Sequence, residues 1–476
     1  MKNIFYSFNT LISAVGIGMF WMLVCPQPRD TTLYAQSRII IENSQKIVGT
    51  TNNGDRVRQL IGDVHLKTER ITMFSDSAYQ YLNTALVEAF GNIQLETKND
   101  TIWCDRLKYD LKTEVAELTG RVIINTDSTT IFGDSVLYNL DSEVALFRRN
   151  ILLTDQRGTL KADQGVFFQQ KDSAIFRGHV QVKDSVQYIE ADSLLSNRKT
   201  GYYEFYGDIF GFDKKNNVLL TTNYLESDST GERKLRGDSH IVKFAADTSD
   251  TTHIWARDIT YLDKDTTYSI LAVEDVETWS AQFSSVSDTI RYYDEKQEFN
   301  LYGNPKTWHQ SLQLSGPYIR ATLKDEAIDS LISYPQPFVV QQDTATGRLN
   351  QMEGDTLIAN FMEGSVKSVK VMPNAQLIRF VKDENDANNG AIKVNSPNYV
   401  YIFFENGEID NMKSGSNTEG SYIPESPAVE TFELEGFIWT PDQKPTKPVT
   451  LPKRKYQALL NEPFFNLPMR YLEWKN

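Results

Sequence analysis

One interval governs this chain: apolar residues return every 29 positions over much of its length. Laid in rows that start at Gly62, Gly91, Gly120, Arg149, Gly178 and Gly207, the sequence aligns without a gap. Two positions into each row stand Val64, Ile93, Val122, Ile151, Val180 and Ile209. Four positions in, the first five rows give Leu66, Leu95, Ile124, Leu153 and Val182. Eleven positions in stand Met73, Ile102, Ile131, Leu160, Ile189 and Val218, and near the row ends Ala89, Leu118, Phe147, Phe176 and Phe205. A period of this length marks a repeat architecture, in which each unit buries its apolar face only against its neighbours.

Within a row the alternation is strict. "DVHLKT", "NIQLET" and "HVQVKD" each place apolar residues at every second position, the pattern of a half-buried strand. Helical 3.6-residue spacing is not evident in this region, and "TERIT", "KNDTI" and "NLDSE" read as turns between short strands. None of the 16 prolines lies between Arg29 and Asn304, so that stretch can pair its backbone without losing a donor. The expected fold is all-β: an elongated β-jellyroll, or taco-like solenoid stack of short strands, with about 29 residues per repeat and an apolar ladder down its interior.

A second column raises the question of chemistry. Asp76, Asp105, Asp134, Asp163 and Asp192 stand fourteen positions into their rows, as in "IWCDRLKYD" and "IFGDSVLYN". Calcium-binding β-solenoids carry Gly-rich nonapeptides, which this chain lacks. The residues after each Asp (Ser, Arg, Ser, Gln, Ser) fit an exposed turn or strand start in which Asp bonds its own backbone. The five histidines, His65, His179, His240, His253 and His309, have no metal-ligand spacing and are expected at solvent-facing strand positions. Cys104 has no His beside it and is expected to be a buried small hydrophobe. No nucleophile elbow, phosphate loop or dinucleotide fingerprint occurs, so no catalytic residue, metal or cofactor is expected. The formal charge of -14 argues against a nucleic-acid partner and against electrostatic attachment to an anionic membrane.

Four segments follow from composition. Residues 1–36 read as a signal peptide or an N-terminal anchor: the apolar run 11–25 has the length of a signal-peptide core, and Ala35 suggests a cut near Gln36. Val24 is too bulky for the position before a lipidated Cys25. Residues 37–240 carry the regular rows. Residues 241–415 continue them more loosely: "DTIRYYD" repeats the Asp-to-Tyr theme with Asp288 and Tyr292. "GDTLIANFMEGSVKSVKV" (354–371) and "SPNYVYIFFENGEIDNMK" (396–413) resemble each other at an offset of 43, an excess over the row that a loop at 382–390 would supply. Residues 416–476 form a Pro-rich tail with an aromatic end.

The rows resemble the OstA-like/LptA family of lipopolysaccharide-transport proteins. The likeness lies in the recurrent "G-[DN]-[VI]-x-[LV]" row start, the "[AC]-D-x-[LA]-x-Y" segment and the "A-x-x-x-G-x-[VI]" step between rows. It covers residues 38–240 well and 275–415 more loosely, and "EGFIWTP" is similar to the tails of longer OstA-like proteins of Bacteroidetes-type organisms. The resemblance implies a periplasmic β-jellyroll, open and V-shaped in section, that carries lipopolysaccharide toward the outer membrane with its acyl chains in the groove. It implies lipopolysaccharide or a related lipid as ligand and other transport proteins, or further copies end to end, as partners through edge-strand pairing. It implies no enzymatic activity. The aliphatic columns then supply the groove candidates: Val64, Met73, Ile93, Ile102, Val122, Ile131, Ile151, Leu160, Val180 and Ile189. Two other readings compete. A carbohydrate-active β-solenoid enzyme would need paired carboxylates about 5–10 Å apart and exposed aromatics, whereas Tyr109, Tyr138 and Phe167 share one column as a packing stack would. An extracellular adhesin or scaffold would need no lipid groove.

Overall fold

A computed structural model describes residues 38–446, apart from positions 127, 157, 246–250, 265–266, 326, 384–386, 406–407 and 426–431. The leader, 1–36, and the chain end, 447–476, lie outside the described residues. Among those described, all regular structure is antiparallel β except two single-turn 3₁₀ segments, Gln169–Lys171 and Pro441–Gln443. The all-β expectation holds.

The row of 29 corresponds to two passes of one long meander. Consecutive strands such as Thr72–Tyr81, Leu86–Glu96, Thr101–Asp110 and Val115–Asn125 pair antiparallel along their whole length. Each is bent in the middle. In Leu86–Glu96, Val87 and Ala89 point inward before the bend and Ile93 and Leu95 after it. The aligned bends form a crease that divides the sheet into two walls facing each other. Wall I holds the strand halves that precede the row-starting glycines, and wall II holds the halves that follow them.

The Asp column makes this crease, which corrects the expectation of a turn in which Asp bonds its own backbone. Gly91 and Asn92 together oppose the single residue Asp105, a β-bulge that re-aims the strand, and Gly120 with Arg121 oppose Asp134 in the same way. Except at Asp134, where Arg149 stands in the glycine's place, the carboxylate of each Asp lies over the glycine of the following strand. A Cβ added at Gly91, Gly120, Gly178 or Gly207 would stand 2.1–2.4 Å from a carboxylate oxygen of Asp76, Asp105, Asp163 or Asp192. These glycines also take positive φ, +74° at Gly91 and +97° at Gly120. Only glycine meets both demands. Sixteen residues after each of the first four Asp residues comes a donor that bonds the carboxylate: Asn92 to Asp76 (3.0 Å), Arg121 to Asp105 (2.8 Å), Asn150 to Asp134 and His179 to Asp163 (2.8 Å). The later pair Asp288 and Gly303 repeats the arrangement, in keeping with the motif at 288–292.

Beyond residue 302 the same path continues with the strands cut at the crease. Gly303 to Pro305, Gly316–Pro317, 334–337 and 373–374 stand where the chain passes from one wall to the other. Proline cannot donate to the ladder, so each bent strand becomes two short ones. The two similar segments found in the sequence are successive hairpins of wall I, Thr356–Met362 with Ser365–Met372 and Val400–Glu405 with Glu408–Ser414. Their offset of 43 exceeds the row because the wall II hairpin between them, Ala375–Lys382 with Asn388–Ser396, has strands of 8 and 9 residues, longer than wall II halves of the regular rows such as 93–96.

One apolar core runs between the walls from Leu60 to Phe404. The meander is open at both ends. Ile40–Asn43 and Lys46–Asn52 pair only with Asp55–Lys67. At the other end Glu408–Ser414 and Glu419–Pro424 each have one neighbour. Pairing thus extends past residue 415 into the region read as tail. Residues 432–446 then fold back over the outside of wall II, where Phe432, Leu434, Phe437 and Trp439 pack on Phe338, Val340, Ile378 and Phe380.

Candidate functional site

All ten positions singled out in the sequence fall on the inner face of wall II. Val64, Met73, Ile93, Ile102, Val122, Ile131, Ile151, Leu160 and Val180 are buried, and Ile189 is partly buried against the same core. The alternation puts them there: each column is an every-second-residue face, and successive rows set like beside like. Ile102, for example, pairs with Leu95 on one side and Ile124 on the other.

The facing surface, wall I, is the half the sequence reading left out. It is built from Ala78, Ala89, Ala116, Ala145 and Ala174, interleaved with Leu107, Leu118, Val136 and Leu194. The signal was present in the row ends Ala89, Leu118, Phe147, Phe176 and Phe205. Tyr109 and Tyr138 lie buried in this wall, as a packing stack requires, and Phe167 packs partly buried beside them. The two walls touch, so side chains fill the interior. In this state the section is closed rather than open.

What closes it is a polar seam between the two rims, where the turns of wall I meet those of wall II. Arg70 on rim II reaches Glu114 (2.9 Å) and Asp141 (2.8 Å) on rim I. Asp100 on rim II accepts from the Tyr138 hydroxyl (2.9 Å) and from the Gln169 amide (2.8 Å). Burial, and then the Asp100 carboxylate, raise the Tyr138 phenol above its ordinary pKa. Arg198 on rim I spans back to Thr129 (2.5 Å) and Asp155 (3.0 Å). Further along, Arg233 meets Asp213 (3.5 Å) and Asn216 donates to the Tyr261 hydroxyl (2.9 Å). Two of the ion pairs are largely out of water: the side chains are 15% and 12% exposed for Arg198 and Asp155, and 14% and 8% for Arg233 and Asp213. No sequence pattern announced this seam, because its partners sit 20 to 71 residues apart on turns whose composition is ordinary.

The residues weighed for chemistry sort differently. Cys104 is fully buried in the core as expected, and burial, reinforced by Asp105, pushes its thiol up to about 12. His65 and His179 lie on the outer surface near the crease. The expectation fails for the other three. His253 and His309 are buried, and His240 is partly buried, stacked on Trp255 at 4.6 Å and 3.0 Å from His253. His240 and His253 pack with Trp255 and Trp279 on the outer face of wall II, whereas His309 points between the walls against Phe361, so the imidazoles are packed rather than solvated. Burial holds His240 down at about 4, and it also lowers His309. Among the described residues, no three His, Cys, Asp or Glu side chains are grouped to hold a metal. None of the described helices is long and apolar enough to cross a membrane.

Packing between the walls is looser toward the C-terminal end. A cavity of about 20 Å³ lies among His309, Leu314, Leu331, Val339, Leu357 and Phe361, and one of about 30 Å³ among Met352, Leu377, Ile402, Phe404 and Ile409. Each has room for one or two water molecules, and both are apolar interior space continuous with the core.

Comparison with known families divides the array in two. Residues 36–192 match the model of the OstA-like protein family. Residues 159–327 match that of the LptA/(LptD N-terminal domain) LPS transport protein family. The two matches overlap across strands of the same uninterrupted meander. No curated protein matches the chain significantly.

Proposed function

The chain belongs to the OstA-like family of lipopolysaccharide-transport proteins, and from that premise we propose that it is a periplasmic, non-enzymatic carrier that holds acyl chains between its two walls on their way to the outer membrane. One observation carries this reading: an apolar interior runs unbroken along the molecule, from Leu60 to Phe404, behind a seam of polar contacts. Magnitudes favour it. Burying a methylene is worth about 0.8 kcal/mol, so an acyl chain of about a dozen methylenes gains roughly 10 kcal/mol gross on leaving water. Parting two or three seam contacts costs a comparable amount, ~3–5 kcal/mol for a buried ion pair and ~0–1 kcal/mol for an exposed one. A lipid can therefore open the rims locally and the seam can re-form behind it. Because the rows repeat, every position along wall II presents the same kind of surface, and no single deep trap stops the chain.

The ends support assembly into a longer path. At the N-terminal edge the chain runs down wall II toward the crease in Ile40–Asn43 and away from it along wall I in Lys46–Asn52. At the C-terminal edge it runs toward the crease along wall I in Glu408–Ser414 and away along wall II in Glu419–Pro424. Placed edge to edge, wall meets like wall with every pair antiparallel, so a second copy or another transport protein would extend the same meander. Ile40 and Ile47 at one edge and Tyr422 at the other are exposed. Open edges of this kind suit strand addition.

Photocrosslinking in cells tests the carrier reading. With a photoreactive residue at Ile93, Ile102, Val122 or Ile131, lipopolysaccharide adducts are expected from more than one position. Absence of adducts at all four, in folded and well-expressed protein, overturns it. An adhesin or a hydrolase would also purify without lipopolysaccharide.

A further inference from the structure

The two walls differ in what they show to the outside. On wall I the outward positions are polar at Glu88, Lys108, Glu117 and Arg148, with one apolar strip across Leu137, Leu146, Val166, Ile175 and Leu195. Wall II has apolar residues on its outer face as well. Phe210, Phe212, Leu219, Val242 and Phe244, which alternate with the inward Ile209, Val218 and Ile241, form one outward cluster. Trp103, Ile123, Phe132 and Leu152 form another, nearer the N-terminus. Val242 is 0% exposed and Leu219 2%. Outward side chains of a single sheet reach such burial only under a further layer.

The described part of that layer is the strap 432–446, and the way it is held shows how it advances. Two buried glutamines of wall II bracket it. Gln351 donates to the Phe432 carbonyl (2.8 Å) and accepts from the Leu434 amide (2.8 Å). Gln313 donates to the Ile438 carbonyl (2.9 Å) and accepts from the Thr440 amide (3.0 Å). Leu349–Glu353, Phe338–Gln342 and Leu312–Ser315 are adjacent strands, so six residues of strap cross two strand spacings. Gln443 then reaches Lys306 on the next strand (2.7 Å). The strap thus runs across the strands toward the N-terminal end, at about three residues per ~4.8 Å strand spacing.

We propose that residues 447–476 continue this strap over the outer face of wall II and cover its two apolar clusters. Heading, length and composition converge on this occupant. From Lys306–His309 the strands that follow on wall II are Ser284–Tyr293, Thr267–Trp279, Thr251–Lys264, Glu232–Phe244, Val218–Ser227 and Tyr202–Asp213. At the strap's own rate, Val242, Leu219 and Phe212 fall beneath the segment that carries Tyr456, Leu459 and Leu460. The remaining residues reach Leu152 and Phe132 at the segment that carries Tyr471, Leu472 and Trp474. Thirty extended residues would span about 100 Å, well beyond the roughly 50 Å that ten strand spacings require. The prolines at 445, 448, 452, 463 and 468 fit a segment lying across the strands, since it forms no ladder and loses no ladder donor. Wall II is then braced from outside along its length.

Photocrosslinking in the full-length chain tests the assignment. Probes at Leu459 and at Leu472 are expected to attach to peptides covering 210–244 and 123–152, respectively, of the same chain. A mixture of isotope-labelled and unlabelled protein separates links within a chain from links between chains. Links between copies would make the face a dimer surface, and links to residues 1–37, to lipid or to another protein would give it a different occupant. Any of these outcomes, or no adduct on wall II at all, overturns the proposal. A second measurement keeps the test independent of one probe chemistry. The double variant Leu459→Asp with Leu460→Asp should raise binding of a hydrophobic dye several-fold with the wall-to-wall core intact by near-ultraviolet circular dichroism, and unchanged dye binding would also sink the idea.

Discussion

Replacing Gly120 by alanine strikes the crease at one point whose geometry is fully specified. The new methyl carbon would stand 2.4 Å from Oδ2, 2.6 Å from Cβ and 2.8 Å from Cγ of Asp105, all too close to coexist. The Asp105 side chain must therefore turn away and, because rotation leaves its Cβ in place, the backbone of the two strands must also shift. Doing so breaks the bonds it accepts from the Arg121 amide (3.0 Å) and guanidinium (2.8 Å), the latter being the main cause of its lowered pKa. Alanine must also adopt a φ of +97°, which costs about 1–2 kcal/mol for a residue with a Cβ. Charge-assisted hydrogen bonds contribute about 1.5–3 kcal/mol, and the lower figure applies because both side chains are about one-third exposed. The expected loss is about 3 kcal/mol. Chemical denaturation of Gly120→Ala beside the parent measures it, and Gly49→Ala, where nothing lies within 4 Å and φ is ordinary, serves as the control with little or no cost.

The decisive comparison is a double-mutant cycle. Asp105→Gly removes every atom that the methyl strikes, Cβ included, so in its background Gly120→Ala should cost only the backbone term, about 1–2 kcal/mol. If the two substitutions simply add, or if Gly120→Ala alone costs no more than Gly49→Ala, the carboxylate does not hold the crease and the reading of the Asp column is wrong.

Two further outcomes are expected. Arg198→Met removes the guanidinium from Asp155 and Thr129 in the seam, and because both charges are mostly out of water the loss is about 3–5 kcal/mol. Hydrogen exchange should quicken at rim turns 126–129, 155–158 and 198–201 before it does at the crease, and uniform exchange across the sheet would refute a local latch. Acidification should destabilise the fold through its packed histidines: His240 is held at about 4 and His309 is also lowered, so the unfolded chain takes up protons first as pH falls. Their contribution is complete above the unfolded value near 6.5 and declines below it, by roughly 2 kcal/mol at pH 5 for His240. The exposed His179 is shifted the opposite way by Asp163. A melting temperature that stays level or rises from pH 7 to pH 5 would contradict the burial of the imidazoles.

How much of this was legible in the sequence depends on the range of the interaction. The period of two and the row of 29 are local signals, and they gave the strand class, the apolar columns and the inner face of wall II. The crease was half visible. The Asp column was conspicuous, but its partners are the glycine and the donor sixteen residues on, in the next strand, and only the pairing register reveals that relation. The residues there (Asn92, Arg121, Asn150 and His179) share a donor function rather than an identity, so no column of like residues marks them. Histidine placement failed for a related reason. His253 and His309 were assigned to solvent by default, whereas His309 takes an inward position of its strand and His253 an outward one where wall II is covered outside as well as in, so that outward alternation stops meaning exposure.

The contrast between the two walls bears on how such a molecule can take a guest into a filled interior. Opening requires the walls to part at their rims while the crease holds. The structure separates those two duties chemically. At the crease the bends at Gly91, Gly120, Gly178, Gly207 and Gly303 are fixed by a backbone conformation that glycine tolerates best and by a carboxylate locked over it, so flexing there meets steric resistance. At the rims the contacts are side chain to side chain, on turns, with Arg70 and its partner Asp141 substantially exposed and replaceable by water at little cost. The inner face that opening would bare is mixed on wall I, where alanines recurring at 29-residue spacing stand among Tyr109, Tyr138, Phe147 and Phe176, and evenly aliphatic on wall II. Parting the rims over two or three rows thus uncovers the aliphatic ladder of wall II as the more uniform surface. That surface gains most from an acyl chain laid against it, and its repetition row after row lets a guest move along the array without changing its surroundings.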